Sequence, residues 1–354
     1  MKRSTLITLC TVLLMASCEK DPENNNTSPS NGTYAYVLNE GVWGYNNAEI
    51  SRINITDGAI ETDWFSQANG RGLGDVAQDL IHYGNKLYAT VYMSNTIEVV
   101  DPATGKSIKQ IDMGNRGPRY MASYNGKVYV TCYDKSVVRI DTTTLTIEAT
   151  CPLSGMQPEQ LCADEGKLYV CNSWQRDNGG NSIYDSTLSV VDIATFTEIA
   201  KLTLRTEDGT LAVNPGKIKA NDQHQMIVSC AGDYDAHPAV TIRFNPYANT
   251  PFQKNDIAVT NFDLYHNDLY AYATTYDAEW NPSIQIFHNS TPILQTYSHI
   301  LSNAYSININ PANGDIYICN SPYGANGDIY CFSNGETKLR WQVEAGIYPS
   351  KVIF

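Results

Sequence analysis

The sequence predicts an all-β fold, a seven-bladed β-propeller of four-stranded blades. Three observations predict it: a strand core that recurs seven times, a spacing near forty residues, and a C-terminal segment that repeats the opening of the internal units. The cores are Tyr36-Val37-Leu38, Leu87-Tyr88-Ala89, Val128-Tyr129-Val130, Leu168-Tyr169-Val170, Met226-Ile227-Val228, Leu269-Tyr270-Ala271 and Ile316-Tyr317-Ile318. Counted from the aromatic or its equivalent, the steps are 52, 41, 40, 58, 43 and 47 residues. Radial repetition of four-stranded blades gives such a period, with added length falling in loops. Helical solenoids share the period but need apolar residues at helical spacing. Here the clusters Tyr83-Gly84-Asn85-Lys86, Tyr124-Asn125-Gly126-Lys127 and Ala312-Asn313-Gly314-Asp315 stand directly before period-two strands and read as hairpin turns.

The ends of the chain are expected to close the ring. The segment Gly346-Ile347-Tyr348-Pro349-Ser350-Lys351-Val352-Ile353-Phe354 parallels Gly117-Pro118-Arg119-Tyr120-Met121, Gln157-Pro158-Glu159-Gln160-Leu161 and Asn214-Pro215-Gly216-Lys217-Ile218. Each opens an inner strand with a proline, whose missing N–H is tolerable at a strand start. The last nine residues are therefore expected to form the inner strand of blade one, and the strand around Tyr36 its second strand. An unpaired strand at the end of an open array would be an aggregation liability, which the expected joining of last blade to first avoids.

Residues 33–354 read as one domain because the repetition is continuous. Ahead of it, Lys2 and Arg3 precede an apolar run from Leu6 to Met15, a secretory signal by length and flanks. The run ends in Leu14-Met15-Ala16-Ser17-Cys18, which resembles a bacterial lipobox. Residues 1–17 are then the signal peptide, Cys18 the lipidated residue, and residues 18–32 an acidic, Asn/Ser/Pro-rich flexible tether. Losing residues 1–17 moves the formal charge from −13 to −15. Nucleic acid, which requires a basic footprint, is disfavoured as a partner.

Of nine cysteines, seven remain once Cys10 is cleaved and Cys18 acylated, so at least one thiol is free. Cys132, Cys162, Cys171, Cys230 and Cys319 lie in or beside strands, where free cysteine packs as a small hydrophobe. Cys319 and Cys331 flank one hairpin and form a candidate disulfide. No Cys-Xaa-Xaa-Cys occurs, so the spacing signature of structural zinc is missing.

A ligand site is expected where the loop after each second strand and the loop leading into each first strand open on one face. Each blade offers an aromatic there: Trp43, Tyr92, Tyr133, Trp174, Tyr234, Tyr276 and Tyr323. The loops leading into first strands add Arg71, Asp75, Asn115, Arg119, Gln157, Glu159, Tyr305 and Tyr348. The expected ligand-binding set is Trp43, Asp75, Tyr92, Arg119, Tyr133, Trp174, Tyr234, Tyr276, Tyr323 and Tyr348. Tyrosine outnumbers phenylalanine 24 to 8, which suits a surface that stacks on a ligand while its hydroxyls meet polar groups. A single turn aromatic is as readily a lid on a blade core; seven in corresponding places favour a binding ring. The turns after Leu38, Val170, Ala271 and Ile318 are longer and suited to reach.

Catalysis has less support, and no enzyme activity is expected. His82, His224, His237, His266, His288 and His299 are scattered without His-Glu-Xaa-Xaa-His or His-Xaa-His spacing. His237 beside Asp233 and Asp235 is the best metal candidate, yet Asp-Tyr-Asp-Ala-His-Pro reads first as a turn, and no metal is expected. Carboxylate pairs for glycoside chemistry could come from Glu40, Asp75, Asp134, Glu159, Asp235 or Asp277. No Gly-Xaa-Ser-Xaa-Gly elbow is present.

Further residues carry a family resemblance: Asn39-Glu40-Gly41 with Asn47-Ala48, Ala68-Asn69-Gly70 with Leu73-Gly74-Asp75-Val76-Ala77-Gln78, Pro118-Arg119-Tyr120, and Asn310-Pro311-Ala312-Asn313-Gly314. Over its whole mature body the chain resembles the YncE-like, seven-bladed surface lipoproteins of gut Bacteroidota, and within them the BtuG-type cobalamin-binding proteins. The resemblance implies non-enzymatic, tight capture of vitamin B12 and related corrinoids and delivery to a TonB-dependent outer-membrane transporter. It implies an outer-membrane, lipid-anchored, cell-surface location and no cofactor besides cobalamin as transported ligand. Two other readings remain: a glycan-binding lipoprotein with Trp43, Trp174 and Trp280 as sugar platforms, and a lyase or hydrolase using a histidine and carboxylates.

Overall fold

The computed structural model of the protein describes residues 34–354 except 249, 250, 278, 280 and 336. The expected signal peptide, the expected lipidation site Cys18, the expected tether and Trp280 lie outside the described residues. Seven four-stranded antiparallel sheets form the blades, each with its strands in chain order from the axis outward except the first. That first blade runs Pro349–Ile353, Tyr34–Asn39, Glu49–Asn54, Ile60–Glu61, so the C-terminal strand is its inner strand, as the sequence predicts. The two ends pair antiparallel, with Tyr36 opposite Ile353, Val37 opposite Val352 and Leu38 opposite Lys351.

Burial differs by strand position and explains the recurring cores. Second strands are covered on both faces by neighbouring blades, so Leu87 to Val91 and Met226 to Cys230 are buried throughout. Outer strands such as Ser107–Asp112 are mostly exposed, with Ile111 alone buried. Inner strands alternate: Lys217 and Lys219 line the axis while Ile218 is buried against a neighbouring blade. Tyr88, Tyr129 and Tyr317 are among the largest fully buried side chains, which is why the aromatic recurs at that register.

The two long steps in the repeat have identifiable causes. Between blades one and two the chain forms a short helix, Trp64–Asn69, that the repeat pattern does not signal. The Glu49 carboxylate accepts the N–H groups of Phe65 and Ser66 at 3.0 and 3.2 Å, satisfying donors that a helix start leaves open. In blade four, Lys167–Arg176 and Ser182–Asp192 continue as a long ribbon. Residues 172–176, read from sequence as a turn, are largely strand, because Trp174 faces Tyr184 and Gln175 faces Ile183. The turn falls at Asp177, whose Oδ1 accepts the N–H groups of Gly179 and Asn181 at 2.8 Å each. Blade six does the same, with Asp277 accepting from Glu279 and Asn281.

All seven cysteines of the described residues are free and buried. The candidate Cys319–Cys331 disulfide is not formed, because Cys319 stands opposite Ile329 and Cys331 opposite Tyr317. The two are diagonal neighbours, a spacing too wide for a disulfide without backbone movement.

Candidate functional site

The loops after second strands and the loops between blades do open on one face, and there the chain assembles a hub across blades two, three and four. Its centre is Arg119, at the start of the blade-three inner strand Pro118–Tyr124. Its guanidinium forms an ion pair with Glu159 of blade four at 3.0 Å and donates to Gln78 Oε1 of blade two. Tyr133 donates to the same Glu159 carboxylate at 2.5 Å, and Gln78 Nε2 donates to Tyr120 at 3.0 Å. The rings of Tyr133, Tyr92 and Tyr120 surround the guanidinium with centroids at 4.5, 5.2 and 5.4 Å. Desolvated cation–π contacts of this kind add to the ion pair and fix its geometry. Tyr92 meets Tyr133 edge-on at 5.4 Å. Gly117, at φ +62°, lies so close beneath Tyr92 that a Cβ would stand 3.0 Å from the ring.

A second cluster adjoins it at blades seven and one. Tyr305 donates to Glu40 Oε2 at 3.0 Å, and Tyr348 packs edge-on against Tyr305 at 5.4 Å and Tyr323 at 6.1 Å. Burial pushes the Glu40 carboxyl up to about 7, against the Tyr305 hydrogen bond and the Arg119 charge, which both pull it down. Burial likewise raises the Tyr305 phenol, with the Glu40 charge adding to it. The folded protein therefore holds the Glu40 proton more tightly than the unfolded chain, and this group's contribution to stability declines as pH rises from about 4.5 to about 7. Glu40→Gln keeps an acceptor for Tyr305 and removes that titration. It is expected to raise the melting temperature at pH 8 and leave it nearly unchanged at pH 4; equal shifts at both pH values would contradict the assignment.

The remaining expected residues lie around this hub with different roles. Trp43 is 73% exposed at the tip of the blade-one loop, and Asp75 accepts the Gly44 N–H at 3.0 Å, tying that loop down. Trp174 is half-buried on the blade-four ribbon, 6.0 Å from the Arg176 guanidinium. Tyr234 is 84% exposed and meets Tyr184 edge-on. Tyr276 and Tyr323 are exposed at the rim of blades six and seven. The structure thus joins Tyr92, Arg119 and Tyr133 in one cluster and Tyr323 and Tyr348 in another, while Trp43, Trp174 and Tyr234 lie apart from both and Tyr276 borders the central opening.

Sequence reasoning did not place Gln78, Tyr120 and the channel residues at the site. The mouth opens into a central cavity of about 730 Å³ lined by the inner strands, from Tyr276 and Tyr305 to Asp222 and His266 at the far end. Two Lys–Asp pairs bridge adjacent blades along its wall: Lys351 Nζ donates to Asp79 at 2.6 Å, and Lys219 to Asp263. Each aspartate also accepts a backbone N–H of the following blade, Met121 for Asp79 and Ile309 for Asp263. Period-two lysines in Pro215-Gly216-Lys217-Ile218-Lys219 were the available signal.

The carboxylates considered for catalysis are largely engaged within the protein. Asp134 pairs with Arg116 at 3.0 Å, Glu159 with Arg119, and Asp277 closes its own turn. His237 closes the blade-five turn, with Nδ1 2.6 Å from Asp233 Oδ2 and its N–H on Asp233 Oδ1. Among the described residues no helix is long and apolar enough to cross a membrane.

Solved structures share the fold at low identity. A quinonprotein alcohol dehydrogenase-like protein from Bacteroides thetaiotaomicron matches with a TM-score of 0.62 at 14% identity, over 91% of this chain and 78% of that one. Hydrazine synthase from Kuenenia stuttgartiensis matches with a TM-score of 0.59 at 12% identity, over 75% and 85%. The computationally designed Ika8 protein matches with a TM-score of 0.55 at 12% identity, over 91% of both chains. No curated protein matches the chain. A family model described as "Domain of unknown function (DUF5074)" matches residues 31–354, and the chain belongs to that family.

Proposed function

We propose that this propeller is a non-catalytic capture protein for corrinoids, lipid-anchored through Cys18 on the outer surface of the outer membrane, that hands its ligand to a TonB-dependent transporter. The observation that carries the reading is the pre-organised mouth. Arg119, Glu159, Gln78 and three tyrosines are already locked together by hydrogen bonds and ring contacts across blade boundaries. A rigid face of this kind loses little conformational entropy on binding, so most of the contact energy reaches affinity. A corrin is broad and fringed with amides, and the mouth offers aromatic faces beside both donors and acceptors. Exposed Trp43, Tyr234, Tyr276 and Tyr323 supply adaptable contact around the rigid centre.

Tyr92→Ala and Trp174→Ala are expected to weaken cyanocobalamin binding by about 1–3 kcal/mol each, the usual loss for an aromatic anchor. Titration calorimetry reads this directly. Unchanged affinity in both variants would move the site to other loops or to the opposite face. The exposure of Trp43 also suits a sugar platform, and on that reading an oligosaccharide would bind while cobalamin left the protein unaffected.

A further inference from the structure

The central channel carries polar chemistry of its own, below the aromatic mouth. Three lysines line it, Lys217, Lys219 and Lys351. Lys219 and Lys351 are matched by Asp263 and Asp79. Lys217 is the channel lysine without a carboxylate partner among the described residues. Its Nζ donates to the neutral Asn261 Oδ1 at 2.7 Å and lies 5.4 Å from the Phe262 ring centre. An ammonium has three N–H donors, so hydrogen-bonding capacity is left over, and Asn261 brings amide N–H donors to the same place.

The position favours a ligand over solvent alone. Inner strands enter from the mouth side, so Lys217 stands nearer the opening than Lys219, in the same continuous cavity that Tyr276 and Tyr305 border. Ser306, Asn308, Ser350 and Gln160 line that cavity with neutral hydrogen-bonding groups. The two neighbouring lysines are already paired with aspartates, which leaves Lys217 as the channel lysine whose Nζ meets no carboxylate among the described residues, while Asp222 faces His266 at the far end. Lys217 is half-buried in the channel wall, and a partly desolvated charge is costly until it is paired.

We propose that Lys217 and Asn261 form an oxyanion site in the channel that takes a small free carboxylate. The anion completes the ammonium as Asp263 completes Lys219. The site does not depend on what binds at the mouth, so its failure would leave the capture reading standing.

Burial lowers Lys217 to about 7, with Lys219 adding to the shift and Asp263 opposing it; Lys351 and Asp79 also act across the channel. Only the ammonium form holds an anion. Acetate, ionised throughout pH 6–8, is therefore expected to bind about ten-fold more tightly at pH 6 than at pH 8, following the charged fraction. Acetate at constant ionic strength should raise the melting temperature of the propeller, and more so at pH 6. Lys217→Met should remove the response. Asn261→Asp supplies the missing carboxylate from within, so it should raise the melting temperature without acetate and abolish the acetate effect. A wild-type protein insensitive to acetate at pH 6, or a response retained in either variant, would overturn the proposal.

Discussion

Deletion of residues 346–354 is expected to abolish cooperative unfolding of the propeller. The lost segment carries the inner strand of blade one, with Val352, Ile353 and Phe354 at 3%, 8% and 2% exposure. Burying three such side chains contributes about 1.5–3 kcal/mol each. The same deletion removes Lys351 and leaves Asp79 buried without its cation, which costs about 3–5 kcal/mol more. It also strips the ladder partner from Tyr36 to Asn39 and exposes that edge. The combined loss, roughly 8–14 kcal/mol, is as large as the whole stability of a typical domain. Differential scanning calorimetry of the truncated chain should show no transition comparable to that of the intact one; an unchanged melting temperature would contradict the closure described above.

Arg119→Met is expected to have the largest effect of any single side chain at the mouth. It leaves Glu159, at 9% exposure, without its cation, and breaks the contacts that hold Gln78 and three tyrosines in place. Removing one member of a buried ion pair costs about 3–5 kcal/mol. Cyanocobalamin affinity should fall by about a hundred-fold or more, in the range of a binding hot spot. The double variant Arg119→Met with Glu159→Gln separates the two effects, since it removes the orphaned charge and should recover much of the stability without recovering affinity. Arg119→Met with unchanged stability in urea would contradict the hub.

The sequence made the ring legible because its signals are local. Tyr88, Tyr129 and Tyr317 repeat at one register since each second strand is buried on both faces, and the proline-led segments mark inner strands including the closing one. The site was legible only by loop position. Arg119, Tyr92 and Tyr133 could be named, but their partners are brought together across blade boundaries, 41 residues apart for Arg119 and Gln78 and 26 for Tyr133 and Glu159. Sequence order does not give the angular register that decides such contacts. Residues 172–176 misled because the same aromatic residues suit either a long turn or a continued ribbon; the Trp174–Tyr184 pairing decides for the ribbon. The helix Trp64–Asn69 is too short to announce itself by periodicity and depends on Glu49, fifteen residues before its start, for its first hydrogen bonds.

Calorimetric titration of residues 33–354 with cyanocobalamin, with cobinamide and a starch-like oligosaccharide alongside, tests the capture reading most directly. The account predicts saturable one-to-one binding tighter than micromolar. Absence of both heat and thermal shift with either corrinoid would contradict it, and binding of the oligosaccharide instead would assign the aromatic mouth to glycans.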